Sequence, residues 1–279
     1  MNGSMLGFAA AALLTVSGAR WLWLMQQVRI PSDRTAYIAA SGVAALLGVA
    51  AFVVGTSLAG GIAAALATVG GLVFVALCAA SGQARTTPTV AVGAAVVDFT
   101  ATDDRGQPFA LAQLGGKPFL LKFFRGHWCP YCVAELRRWE EMRAELDAHA
   151  IEIVTVCADT AEQIRKGRGK HGLRAVMLAD PDLVITDLYN LRNPKSFAPR
   201  PGVIIPLPIP TTILVDATGI VRWIDQSTDY MQRSDPDRVR SAIREVFGSG
   251  SLVQPAVETE AARTLGGWSS QRGLDAAHP

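Results

Sequence analysis

The chain has 279 residues, a formal net charge of +2 and 50% hydrophobic residues. So small a charge excludes the strongly basic surface that a nucleic-acid partner requires. A mean hydropathy of +0.26 is too high for a chain that is water-soluble throughout, and the excess is local: residues 37–83 contain no Asp, Glu, Lys or Arg.

A spanning helix needs about 20 apolar residues, so the uncharged stretch accommodates two, predicted at residues 36–56 and 59–81 with a Gly-rich turn between them. A third span is predicted at 5–25, ending in Trp21, Trp23 and Met25, where tryptophan suits the membrane–water interface. A secretory signal competes for this first segment, but no Lys or Arg precedes its apolar run and Arg20 falls late. Arg29 and Arg34 lie between the first two spans. By the positive-inside rule they place that connector, and with it the soluble domain, on the cytoplasmic side of a bacterial-type inner or plasma membrane. The expected organisation is a multi-pass transmembrane region at 1–82, a polar linker at 83–91, a soluble domain at 92–248 and a flexible tail at 249–279, rich in Gly, Ser and Ala.

From residue 96 the pattern alternates between strand and helix. Strands are predicted at 96–101, 118–124 and 151–156, and a short strand and turn at 176–181. The second of these strands leads into a helix running to 148 with Cys132, Leu136, Trp139, Met142 and Leu146 on one stripe. Its opposite face, with Glu135, Arg138, Glu141 and Glu145, reads as solvated. Helices follow at 159–171 and 182–188. Between 193 and 210 the prolines Pro194, Pro199, Pro201, Pro206, Pro208 and Pro210 argue against any regular ladder. A strand at 211–216, a turn at Thr218-Gly219, a hairpin partner at 220–224 and a helix at 235–247 complete the domain.

Cys129-Pro130-Tyr131-Cys132 sits where the 118–124 strand gives way to the helix. Two thiols at this spacing can close into a disulfide and reopen. The helix N-terminus favours thiolate over thiol, and Pro130 fits a first turn whose N–H needs no partner. Zinc would call for four ligands. His127 could join the pair, but His149, His171 and His278 form no second one, so redox chemistry is favoured over metal. The sulfurs themselves carry electrons and no cofactor is expected. Cys78 reads as an apolar filler of the third span. Cys157 reads as a buried structural thiol, with a resolving or regulatory role as the alternative.

Trp128-Cys129-Pro130-Tyr131-Cys132 together with Ile209-Pro210-Thr211 resembles the thioredoxin fold, an α/β arrangement with a central mixed sheet flanked by helices. There a cis-proline, here Pro210, faces the cysteines. More widely, residues 92–246 resemble the redoxin, or alkyl hydroperoxide reductase/thiol-specific antioxidant, family. The resemblance runs through Asp98-Phe99-Thr100, Gly116-Lys117-Pro118, Phe123-Phe124-Arg125-Gly126, Leu178-Ala179-Asp180-Pro181 and Val215-Asp216-Ala217-Thr218-Gly219. The peroxiredoxin-like branch with an Arg-Gly-x-Trp-Cys-Pro-Tyr-Cys signature is similar, including at residues 229–236. Aligned on a peroxiredoxin, Cys132 takes the peroxidatic position, Cys129 replaces the peroxide-orienting threonine and Pro210 replaces an active-site arginine. Aligned on thioredoxin, Cys129 is the exposed nucleophile and Cys132 the resolving thiol. The closer approach of Cys129 to the helix N-terminus agrees with the second alignment.

Arg125 and His127 are the nearest cations for lowering a thiol pKa, although a strand end and a loop usually leave such side chains solvated. Trp128 is expected to pack under the site and Lys122 to snorkel to an edge. Arg200 is in reach to replace the missing arginine. Taken with the predicted spans, the resemblance implies a membrane-anchored thiol oxidoreductase that acts on a hydroperoxide or a disulfide, with Cys129 and Cys132 catalytic and Trp128, Pro130, Pro210, Thr211 and Arg125 in support. Its partners would be that substrate, an external thiol donor and the lipid bilayer. The alternatives are an extracytoplasmic disulfide reductase of the cytochrome-maturation type, a metal chaperone and a redox sensor.

Overall fold

The computed structural model describes residues 2–83, 85–197 and 204–248. The tail expected at 249–279, and Arg200, lie outside these residues. Three long helices come first: α1 (Gly3–Gln26), α2 (Thr35–Val54) and α3 (Leu58–Ala79). Each is long and apolar enough to cross a membrane. Small residues bring them together, with Gly48 against Ala64 and Thr68, and Gly71 against Ser41 and Ala45. Large aliphatic side chains point away from the bundle, Val53 at 83% and Leu58 at 84% exposure. Small residues inside and branched apolar ones outside is the pattern of helices packed in lipid.

The remaining elements are β1 (Thr100–Asp103), β2 (Pro108–Ala110), a 3-10 turn at Leu111–Leu114, β3 (Phe119–Phe124), α4 (Pro130–Glu141), α5 (Arg143–Ala148), β4 (Glu152–Cys157), α6 (Ala161–His171), β5 (Val176–Ala179), α7 (Val184–Leu188), β6 (Arg192–Phe197), β7 (Ile204–Pro208), β8 (Thr211–Val215), β9 (Val221–Gln226) and α8 (Pro236–Phe247). Seven strands form one mixed sheet in the order β2-β1-β5-β4-β3-β8-β9. β3, β4 and β5 run parallel, and β8 and β9 add antiparallel on the other side of β3. This is a thioredoxin-like fold. The central strand β3 is buried along its whole length, as a strand covered on both faces must be. Side chains alternate across it. Leu120 and Phe124 face a core built with α4, α6 and α8, whereas Leu121 and Phe123 face one closed by Ile185 and Tyr189.

The strand expected at 96–101 lies instead at Thr100–Asp103, as β1, and pairs with an unexpected β2. Two further elements also differ from expectation. The helix after the cysteines divides at Met142 into α4 and α5. The proline-rich segment does pair, as the ribbon β6–β7, with a register shift between Asn193 and Ser196. A two-stranded ribbon has two open edges, so a proline without an N–H costs no ladder bond there, and the irregularity absorbs Pro194.

The bundle meets the domain along α4. Trp21 and Ile30 pack with Ala134, and Tyr131 lies against them. Arg137 donates to the Gln27 carbonyl at 2.8 Å. The connector between α1 and α2 therefore lies beside the helix that begins with the two cysteines.

Candidate active site

β3 ends at Phe124, and the chain must turn within a few residues to start α4. Gly126 makes the turn. A Cβ there would stand 2.5 Å from Trp128 Nε1 and 2.6 Å from Asp159 Oδ1, inside van der Waals contact. Asp159 anchors the loop by accepting from the His127 backbone N–H at 2.6 Å and pairing with its Nδ1 at 3.0 Å. Cys129 is the N-cap of α4, Pro130 opens the helix, and Cys132 faces inward one turn later. Both cysteines are buried, with exposures of 2% and 0%. The expected exposed position of Cys129 is thus not what the fold provides.

What closes over them is Arg233. Its guanidinium donates to Cys132 Sγ from Nε at 3.4 Å and from Nη2 at 3.2 Å, and reaches Cys129 Sγ at 3.5 Å. Burial alone would push the Cys132 thiol up. The hydrogen bond from Cys129, the Arg233 charge and the Arg125 backbone N–H reverse this, holding Cys132 well below the ordinary thiol range. Cys129 moves the opposite way, pushed up by its hydrogen bond to Cys132, then by burial and the neighbouring negative sulfur. Ionisation of the pair is therefore favoured at Cys132, with Cys129 as the thiol that hydrogen-bonds to it. An opposite charge at hydrogen-bonding distance favours the ionised form, and here it outweighs desolvation.

Arg233 is itself tightly placed. Its Nη1 donates to the carbonyls of Gln232 at 2.5 Å and Tyr230 at 3.2 Å. The next residue, Ser234, donates its N–H to Glu135 Oε1 at 3.2 Å. Glu135 also accepts from Lys122 Nζ at 2.8 Å, in an ion pair whose two side chains are each 1% exposed. Lys122 donates further to Thr212 Oγ1 at 3.0 Å. Two expectations are corrected here. Lys122 does not snorkel, and Glu135 does not belong to a solvated face, because each neutralises the other inside the core.

Arg125 and His127 are likewise buried, at 6% and 9% exposure, not solvated. Arg125 lies between the rings of Trp128 and Tyr230, 5.2 and 5.3 Å from their centres, a cation–π arrangement. Trp128 is half-buried against the core beneath the dithiol. Pro210 is buried just before β8, where Thr211 pairs with Phe123 in register, so it lies level with the end of β3 from which the cysteine loop departs. The Thr211 hydroxyl turns to the Ile209 carbonyl at 3.0 Å. Cys157 is buried at the end of β4, and desolvation followed by Asp159 raises its thiol well above the ordinary range. His127, Cys157 and Asp159 offer ligand atoms within 4.8 Å of one another, but His127 and Asp159 are already engaged with each other. The trio of Cys129, Cys132 and His127 considered for a metal does not form such a group among the described residues.

Residues 92–224 match the AhpC/TSA family. The domain is a member of that family. The AhpC/TSA domain is thereby a thiol-dependent oxidoreductase domain, and its sheet from β1 through β8 and into β9 falls within the matched segment. Among curated proteins, the chain is 28% identical over 156 residues to the thiol-disulfide oxidoreductase ResA of Geobacillus kaustophilus, an alignment covering 56% of this chain and 79% of that one. It is 34% identical over 105 residues to the soluble secreted antigen MPT53 of Mycobacterium tuberculosis, covering 38% of this chain and 60% of the relative. Among solved structures, the peroxidoxin BcpB of Mycobacterium tuberculosis aligns at 18% identity and a TM-score of 0.47, over 57% of this chain and 98% of that one.

Arg233 is the functional residue that the sequence reading missed. It stands 101 positions from Cys132, so no spacing links them. The only trace was the similarity of residues 229–236 to the peroxiredoxin-like branch. Arg233 occupies the role for which Arg200 had been considered.

Proposed function

We propose that this protein is a membrane-anchored dithiol oxidoreductase whose Cys129 and Cys132 cycle between dithiol and disulfide. The observation that carries this reading is the Arg233 guanidinium, which donates to both sulfurs. A cation so placed stabilises a thiolate in the reduced pair and has no such partner once the sulfurs are joined.

Toward a disulfide substrate, Cys129 leads from the start of α4. As its sulfur attacks, its proton passes along the existing hydrogen bond to Cys132. One substrate thiolate leaves and a mixed disulfide forms. Cys132 then gives up the proton and attacks Cys129 Sγ, forming the internal disulfide and releasing the second substrate thiolate. Two electrons and the one proton shared by the pair pass to the substrate, and solvent supplies the second proton that turns both released thiolates into thiols. An external thiol donor reduces the internal disulfide and completes the cycle. The similarity to a thiol-disulfide oxidoreductase over most of that relative's length supports this reading.

A second reading is favoured by the burial of both sulfurs, which suits a small oxidant. The Cys132 thiolate attacks a hydroperoxide, the O–O bond breaks, the departing alkoxide takes a proton from solvent and leaves as an alcohol, and Cys132 becomes a sulfenic acid. Cys129 then displaces water to form the same disulfide. Stopped-flow oxidation of the reduced full chain by a hydroperoxide and by a disulfide, followed at the Cys129–Cys132 pair, separates the two.

α1, α2 and α3 supply the anchor in a three-span arrangement that sets the connector 27–34 and the domain on the same side of the bilayer. Arg29 assigns that side to the cytoplasm under the positive-inside rule. Arg34 counts with it, since the rule counts Lys and Arg and not net charge, although in the folded protein it pairs with Asp229.

A further inference from the structure

Arg34 caps the start of α2, in the membrane bundle, yet its side chain is directed into the redox domain. It forms a two-pronged ion pair with Asp229, Nη1 to Oδ1 at 3.1 Å and Nη2 to Oδ2 at 2.5 Å. It also donates to Ser81 Oγ at 3.0 Å and to the Cys78 carbonyl at 3.2 Å, both at the end of α3. Ser81 Oγ in turn donates to Asp229 Oδ2 at 2.7 Å. The backbone follows the same line. Tyr230 N–H donates to the Ser81 carbonyl at 2.7 Å and Gln83 N–H to the Thr228 carbonyl at 2.9 Å. Residues 227–230 are thus sewn to the end of the membrane bundle.

This is the segment that delivers Arg233. Its Nη1 donates to the Asp229 carbonyl at 3.4 Å and to the Tyr230 carbonyl at 3.2 Å. On the far side Ser234 is held by Glu135. The arginine at the dithiol is therefore fixed from two directions, by the domain core through Glu135 and by the membrane helices through Arg34. A fork-to-fork Arg–carboxylate pair with side chains only 10% and 13% exposed fixes geometry as well as charge.

We propose that Arg34 is a positioning residue for the dithiol: through Asp229 it holds the 227–233 loop so that the Arg233 guanidinium stays on Cys132 and Cys129. The proposal rests on the dithiol reading above. It makes the membrane bundle a part of the active site as well as an anchor. The groups facing the sulfurs are Arg233 from the loop, Arg125 from the end of β3, Tyr131 from α4 and Cys157 from β4, with Glu135 facing Arg233. Arg34 touches none of the sulfurs, so it acts through Arg233.

The test is the pH dependence of thiol alkylation in the reduced full chain, reconstituted in lipid nanodiscs, for the wild type, Arg34→Gln, Arg34→Lys and Asp229→Asn. Loosening Arg233 raises the midpoint by about one pH unit in Arg34→Gln, less than the full effect of removing a neighbouring charge. Arg34→Lys, which keeps a cation at Asp229, falls between that variant and the wild type. At alkaline pH all four converge, which a general loss of structure would not produce. Asp229→Asn keeps the shape of the site and gives the same rise, and it decides the matter if Arg34→Gln does not fold. An unchanged midpoint in a variant with a wild-type thermal melt overturns the proposal. Oxidation of the wild type is scored separately: absence of a Cys129–Cys132 disulfide sinks the dithiol reading and leaves the midpoints to judge Arg34 on their own.

Discussion

Arg233 Nη2 lies 3.2 Å from Cys132 Sγ and 3.5 Å from Cys129 Sγ, so one guanidinium serves both sulfurs of the dithiol. Removing it leaves the buried pair without its nearest cation. Arg233→Gln is expected to raise the alkylation midpoint of the reduced protein by about one to three pH units and to slow oxidation at neutral pH in proportion to the lost thiolate. Iodoacetamide kinetics across pH read the first, and stopped-flow oxidation by a hydroperoxide and by a disulfide reads the second. A midpoint equal to the wild type would remove Arg233 from the account.

The stability of the reduced protein should also follow the two thiols. Cys132, lowered in the folded state, contributes stability that is lost as pH falls through its folded value and is complete above the ordinary thiol value, about 8.5. Cys129, raised in the folded state, contributes stability that is intact below that ordinary value and is lost as pH climbs toward its folded value. Reduced wild type, compared with Cys132→Ser in denaturant titrations, should show an advantage that grows from acid to near pH 8.5 and then stops growing. A flat difference would contradict the assignment of charge to Cys132.

The buried Lys122–Glu135 pair makes a prediction of opposite character. Lys122→Met alone leaves an uncompensated carboxylate and should cost about 3–5 kcal/mol, whereas Lys122→Met with Glu135→Leu should recover much of it. The double variant still lacks the acceptor for Ser234 N–H, so its thiol alkylation midpoint should rise even where its stability returns. Urea titration and alkylation together separate the two effects.

Gly126→Ala places a methyl group against Trp128 and Asp159. The expected cost is about 1–3 kcal/mol, as for other overpacked sites. A thermal melt unchanged from the wild type would show that the loop can give way.

Much of this was legible locally. β3 and β8 announce themselves as apolar runs between punctuating Gly and Pro residues, and the dithiol at a strand-to-helix junction is a signal confined to a few positions. What stayed hidden depends on closure through space. Arg233 meets Cys132 only because the segment after β9 folds back over α4. Glu135 was misread for a different reason. It stands three positions after Cys132, hence on the flank of the buried stripe, and a carboxylate there signals a buried partner. Its partner, Lys122, was visible as a lone charge in the otherwise apolar β3. Read together, the two charges would have predicted each other. Arg34 was read for topology because it sits between two spans, and nothing local links it to Asp229.

The central claim is that Cys129 and Cys132 form the working redox pair of the full chain. The most direct measurement is peptide mapping by mass spectrometry after stoichiometric oxidation of the reduced, nanodisc-held protein, with Cys129→Ser and Cys132→Ser alongside. The account predicts a Cys129–Cys132 disulfide in the wild type. It also predicts a mixed disulfide trapped on Cys129 in Cys132→Ser when the oxidant is a disulfide. A disulfide joining Cys132 to Cys157, or a wild type left fully reduced by both a disulfide and a hydroperoxide, would contradict it.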